Sequence, residues 1–241
     1  VSARESRTLH RCGTVPEFNR TSLGWSGLTI AHRAYTPKPM TDPAADHPSA
    51  DHLPADEPPV EDPRPDGLRR VPSLLLVNTG NGKGKSSAAF GVMLRALARG
   101  WKVAVVQFIK SGDWKVGEET MGRQLGVTWL SVGDGFTWDS TDIDHDRNLA
   151  RTGWDQAAAI IAAGEHQLVI LDELTYLMNW SWIDGDAVIR ALADRPIDVS
   201  VIVTGRDASA SLIEIADTVT EMQPVKHAYD RGIAAKRGID Y

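Results

Sequence analysis

The pattern of apolar and polar positions changes character near residue 71. Beyond it, apolar runs of strand length recur at 74–77, 103–109, 127–132, 168–171, 199–204 and 218–222. Between several of these runs the apolar residues return at i, i+3, i+4, i+7 spacing, one face of a helix. Ala89, Val92, Met93, Ala96 and Leu97 share such a face, as do Ala150, Trp154, Ala157, Ala158 and Ile161. A further helical stretch runs to about residue 193, and a short one starts at Ala208. Strands that are apolar throughout, alternating with helices, predict an α/β three-layer sandwich: a mostly parallel sheet of about six strands, covered on both faces. Ligands in such sheets bind beyond the carboxyl ends of the strands.

The turn after the first strand carries the candidate chemistry. It reads Gly80-Asn81-Gly82-Lys83-Gly84-Lys85-Ser86-Ser87 and leads into the first helix. Glycines leave room for successive backbone N–H groups to turn inward around phosphate oxygens, and the helix that follows adds its positive end. Lys85 is placed to reach phosphates and the Ser86 hydroxyl to coordinate Mg²⁺, the arrangement of a P-loop NTPase of RecA-like fold. Three residues separate Gly80 from Gly84, whereas the usual loop has four, so this loop is one residue tight. The apolar run 168–171 ends in Asp172-Glu173, an acid pair suited to the Mg²⁺ of such a site. Acids also cap buried strands without any ligand; the pair gains meaning from the glycine loop. In an ordinary ATPase Glu173 would orient the attacking water, and in a small-molecule kinase an acceptor hydroxyl would lie there.

The segment before residue 71 adds no such pattern. Residues 1–39 scatter arginines without helix or strand period, and 40–70 is an acidic, proline-rich linker by composition. Met40 is the first methionine, so the natural start is expected there, with the upstream stretch either outside the native chain or a disordered regulatory tail. The net charge of −6 argues against a general nucleic-acid binder. A single cysteine, Cys12, excludes an intrachain disulfide. No apolar run is long enough to span a bilayer and no signal-peptide pattern opens the chain, which leads to the expectation of a soluble cytoplasmic protein. Phe136 and Trp138 fall in a glycine-flanked loop, where they suit either a planar apolar ligand or core packing.

Taken together, Thr79–Gly91, Val106–Lys110, Gly135–Trp138, Val169–Tyr176, Val203–Arg206, Ala216–Val219, Pro224–Ala228 and Gly238–Tyr241 resemble the P-loop corrinoid adenosyltransferases of vitamin B12 synthesis and salvage. The resemblance runs in collinear order from about Val71 onward, includes the tight loop, and leaves residues 1–70 uncovered. It implies that Co(I) of a corrinoid attacks the 5′-carbon of ATP and expels triphosphate, with ATP lying reversed relative to other P-loop proteins. It further implies stabilisation of the leaving group by loop N–H groups, Lys83, Lys85 and a Mg²⁺ (or Mn²⁺) held by Ser86 and Glu173, with Asp172 in support. Phe136 and Trp138 match an aromatic pair that packs below the corrin ring and displaces the lower axial ligand. Arg206 is implied to reach ATP or a partner subunit; a homodimer and a flavin-dependent electron donor complete the picture. Where the family has an N-terminal helix over the corrinoid, this chain has its proline- and acid-rich stretch. Trp180 and Trp182 suit core or dimer packing, and His145, His166 and His227 lack metal-ligand spacing. A RecA-like ATPase or small-molecule kinase, and a non-catalytic binding module, remain the alternatives.

Overall fold

The computed structural model describes residues 67–109, 116–133 and 142–240. Six strands form one sheet in the order β3-β2-β4-β5-β1-β6. They are β1 (Leu75–Thr79), β2 (Val103–Phe108), β3 (Thr128–Val132), β4 (Leu168–Asp172), β5 (Ser200–Thr204) and β6 (Thr218–Glu221). Every pairing is parallel, so all six carboxyl ends open at one edge. The helices are α1 (Lys85–Leu97), α2 (Gly117–Gln124), α3 (Ile143–Ala163), α4 (Leu174–Asn179), α5 (Gly185–Ala193) and α6 (Ala210–Ile215). This is the α/β class the alternation predicts.

Because successive strand residues point to opposite faces, each buried strand feeds two cores. One row, with Val106, Leu171 and Val203, packs against Trp154 and Ile161 of α3 and Leu192 of α5. The opposite row, with Val105, Ile170 and Ile202, packs against Ala89, Phe90 and Met93 of α1. β2, β4 and β5 are buried at every position, which explains their unbroken apolar runs. β6 pairs only with β1 and is exposed along its length.

Two local features depart from the sequence pattern. The helical stretch before residue 193 is two helices, broken at 180–184, where Ser181 adopts φ 55° and Asp184 accepts a hydrogen bond from Asp186 N at 3.0 Å to cap α5. α2 has no counterpart in the apolar pattern because the residue it buries is Gly122, whose missing side chain makes room for Trp129.

Candidate functional site

At the carboxyl ends of the strands the row facing α1 changes from apolar to polar. Asn78, Gln107, Asp172 and Thr204 follow Leu76, Val105, Ile170 and Ile202 by two positions each, on the four neighbouring strands β1, β2, β4 and β5. Register pairs Gln107 with Asp172 and Asn78 with Thr204. Gln107 Nε2 donates to Asp172 Oδ2 at 2.8 Å and Thr204 Oγ1 donates to Asp172 Oδ1 at 2.7 Å. Asn78 Nδ2 donates to Lys85 O at 3.1 Å, tying the row to the start of α1.

The glycine loop leaves β1 and turns back into α1 above this row. A Cβ on Gly80, at φ 89°, would stand 2.5 Å from Met222 O, and one on Gly82 would stand 2.7 Å from Met222 C. Glycine is therefore required where the loop runs against the strand-end segment after β6. Gly82 N donates to Met222 O at 2.6 Å and Met222 N to Thr79 O at 2.8 Å, so one of the loop's donors is turned away from the cavity. Gly84, at φ 115°, precedes α1 with no side-chain cap, leaving the first helical N–H groups for a ligand.

Lys85 Nζ donates to Gly80 O and Gly82 O, each at 2.8 Å. Partial burial lowers its pKa from 10.5, and the neighbouring Arg206 cation lowers it further; Glu173, Asp172 and Asp207 oppose both effects. Glu173 follows β4 in the left-handed region, φ 67°, and its N–H donates to Thr204 Oγ1 at 3.0 Å. Arg206 follows β5 through Gly205 at φ 139°, and its carbonyl accepts from Thr175 Oγ1 at 2.6 Å.

These turns enclose a cavity of about 520 Å³. Asn81, Gly82, Lys83, Gly84, Lys85, Ser86, Ser87, Glu173 and Arg206 all border it, so most of the residues singled out in the sequence converge. Gly80 lies behind the loop, against Met222. Asp172 is fully buried beneath the cavity wall, both oxygens accepting from Gln107 and Thr204, and is not among the lining residues. Phe136 and Trp138 lie outside the described residues.

The far wall draws partly on residues 224–228 and 238–240, which carry the resemblance but to which the sequence alone assigns no site role. Pro224, His227, Tyr229, Asp230 and Asp240 complete it, and Lys83 Nζ donates to Asp240 Oδ1. The Lys236 N–H and then Lys83 hold the Asp240 carboxyl below its ordinary range. His227, read as solvated or structural, borders the cavity while its Nδ1 accepts from Tyr229 N at 3.1 Å.

The donor set suits a hard cation such as Mg²⁺ or Mn²⁺ better than a soft, thiolate- or imidazole-seeking metal. Ser86 and Glu173 offer a hydroxyl and a carboxylate to the same cavity, and among the described residues there is no group of three or more His, Cys, Asp or Glu that could hold a metal. Mg²⁺ fits such a site, since it retains waters and takes its other ligands from substrate phosphates. Among the described residues no helix is long and apolar enough to cross a membrane.

Comparison with known proteins agrees with this geometry. A sequence model of the family described as "ATP:corrinoid adenosyltransferase BtuR/CobO/CobP" matches residues 72–241. A protein of Escherichia coli (strain K12) named "Corrinoid adenosyltransferase" is 44% identical over 168 residues, 70% of this chain and 85% of its own length. A Pseudomonas aeruginosa protein of the same name is 45% identical over 170 residues, 70% of this chain and 83% of its own. "Corrinoid adenosyltransferase CobA" of Salmonella typhimurium is 42% identical over 168 residues, 70% of this chain and 85% of its own.

Proposed function

The chain belongs to the ATP:corrinoid adenosyltransferase family, and on that premise we propose how its cleft transfers the 5′-deoxyadenosyl group of ATP to Co(I) of a corrinoid. The cobalt electron pair forms the Co–C5′ bond; the C5′–O bond breaks and its electrons leave with triphosphate. Co(I) is itself the nucleophile, so the protein needs no side-chain nucleophile or general base. What it must stabilise is the charge on the leaving group.

One observation carries this reading: the tight glycine loop, Lys85, Glu173 and Arg206 border a single cavity at the strand ends. The free N–H groups at the start of α1 take phosphate oxygens, and Lys85, already aimed into the loop, supplies the nearest cation. Lys83 exchanges Asp240 for a phosphate, and Arg206, which borders the same cavity near Lys85, adds a further cation. Ser86 and Glu173 would hold Mg²⁺ (or Mn²⁺), which supplies charge neutralisation to the phosphates when bound. The role of apolar bulk below the corrin ring, keeping a lower ligand off cobalt, is the one that the resemblance implies for Phe136 and Trp138, which lie outside the described residues. A homodimer in the cytoplasm, served by a flavin-dependent electron donor, is the setting implied.

An anaerobic assay with MgATP and chemically reduced cob(I)alamin tests the proposal. Light-sensitive adenosylcobalamin and triphosphate are expected in equal amounts. ADP and phosphate with cobalt unchanged would instead identify a RecA-like ATPase, and ADP with a phosphorylated acceptor a small-molecule kinase.

A further inference from the structure

We propose that Thr204 and Gln107 are positioning residues for adenosyl transfer: acting with Asp172, they lock the backbone conformation that turns the Glu173 carboxylate into the ATP cavity. The inference rests on the reading that Glu173 serves the MgATP site. It begins with a backbone anomaly. Glu173 is a non-glycine residue at φ 67°, in the first turn position after β4, with no side-chain cap for α4. The left-handed region is disfavoured for a residue that carries a side chain, so something must hold it there.

Thr204 does so from the neighbouring strand. Its single hydroxyl proton goes to Asp172 Oδ1 at 2.7 Å, which turns a lone pair toward the Glu173 N–H at 3.0 Å. A hydroxyl free to rotate would not have a fixed acceptor direction; the carboxylate gives it one. Gln107, on the other side, donates to Asp172 Oδ2 at 2.8 Å and fixes the carboxylate plane. All three side chains are buried and lie on one row of β2, β4 and β5, so neither water nor rotamer change relieves the arrangement. If the row loosens, Glu173 is free to return to an ordinary φ, and its carboxylate swings out of the cavity it borders with Lys85 and Arg206. Asp172 and Glu173 are adjacent, yet one orients the backbone and the other faces the ligand.

Thr204→Val removes the hydroxyl at nearly constant volume; Thr204→Ser keeps it. Two readouts separate positioning from general destabilisation: amide hydrogen exchange at Glu173, and Mn²⁺ binding followed by electron paramagnetic resonance with ATP present. Thr204→Val is expected to speed Glu173 exchange and weaken Mn²⁺ binding by roughly 10–100-fold, the usual cost of losing an outer-shell partner. kcat should fall with it, while ATP binding without metal stays near wild type and Thr204→Ser recovers all three. Gln107→Met, which keeps length but loses the donor, should shift both readouts in the same direction and serves if Thr204→Val does not fold. Unchanged Glu173 exchange and Mn²⁺ affinity in the folded variants would overturn the proposal. Glu173→Gln distinguishes the underlying reading: if it leaves Mn²⁺·ATP binding intact, Glu173 is not in the metal site, and the exchange data alone decide what Thr204 holds.

Discussion

Lys85 shows how a single residue couples the fold to the ligand. Partial burial and Arg206 depress its pKa below 10.5, so the free protein carries an ammonium that the fold disfavours. Between the lowered value and 10.5 the unfolded chain binds more protons than the folded one; this group's contribution to stability therefore rises with pH across that window. Phosphate binding works the other way. Triphosphate favours the charged lysine, so ATP affinity is complete below the lowered pKa and declines as pH rises through it. We expect the dissociation constant for ATP to increase with pH before 10.5 is reached, while the ligand-free protein gains stability over the same range. Calorimetric titration at a series of pH values measures the first effect. Lys85→Arg, which stays charged, should bind ATP more weakly but without that alkaline slope; an equal slope in the variant would assign the titration to another group.

At the scale of elements, two helical glycines with opposite surroundings make the packing argument testable. A Cβ on Gly153 of α3 would lie 2.4 Å from Val132 Cγ1, at the end of β3. Gly91 of α1 has nothing within 4 Å. Both substitutions gain the helix preference of alanine, about 1 kcal/mol, but Gly153→Ala also incurs an overpacking cost of roughly 1–3 kcal/mol. Gly91→Ala is thus expected to raise stability and Gly153→Ala to lower it, measured by denaturant unfolding. Adding Val132→Ala to Gly153→Ala should recover part of the loss, because it removes the two methyls in the way. The same contrast explains which elements were legible in the sequence. α1 and α3 bury regular apolar stripes, whereas α2 buries Gly122 and presents no stripe to read. The break at 180–184 was hidden because Trp180, Trp182 and Ile183 continue an apolar run across it; the turn is made by Ser181 and ended by Asp184. The glycine loop was legible because its parts are contiguous. Asp172-Glu173 was read as a joint metal pair, since adjacency does not say which of the two faces the cavity. The wall at 224–240 comes together through long-range contacts, the pairing of β6 with β1, the Gly82–Met222 hydrogen bond and the Lys83–Asp240 contact, and its exposed residues follow no period.

For the molecule as a whole, the question is which part of the chain carries the stability. Every described strand pairing lies between Leu75 and Glu221, and both cores are built from residues between Leu75 and Ala216. The cavity is enclosed by residues 81–240, and the family match covers 72–241. Among the described residues, the strand pairings, both cores and the cavity lining are all supplied from residue 75 onward. A chain beginning at residue 67 is therefore expected to unfold in one transition, at a midpoint within about 3 °C of the full chain. For a domain of this size that interval corresponds to roughly 1 kcal/mol. Its kcat/KM for MgATP in adenosyl transfer should also match, since every proposed phosphate contact is retained. Calorimetry on the two chains, followed by the anaerobic assay, checks both halves. A larger fall in the midpoint would place part of the folding energy in residues 1–66. An unchanged midpoint with a lost turnover would instead place there a group that the reaction needs and the fold does not.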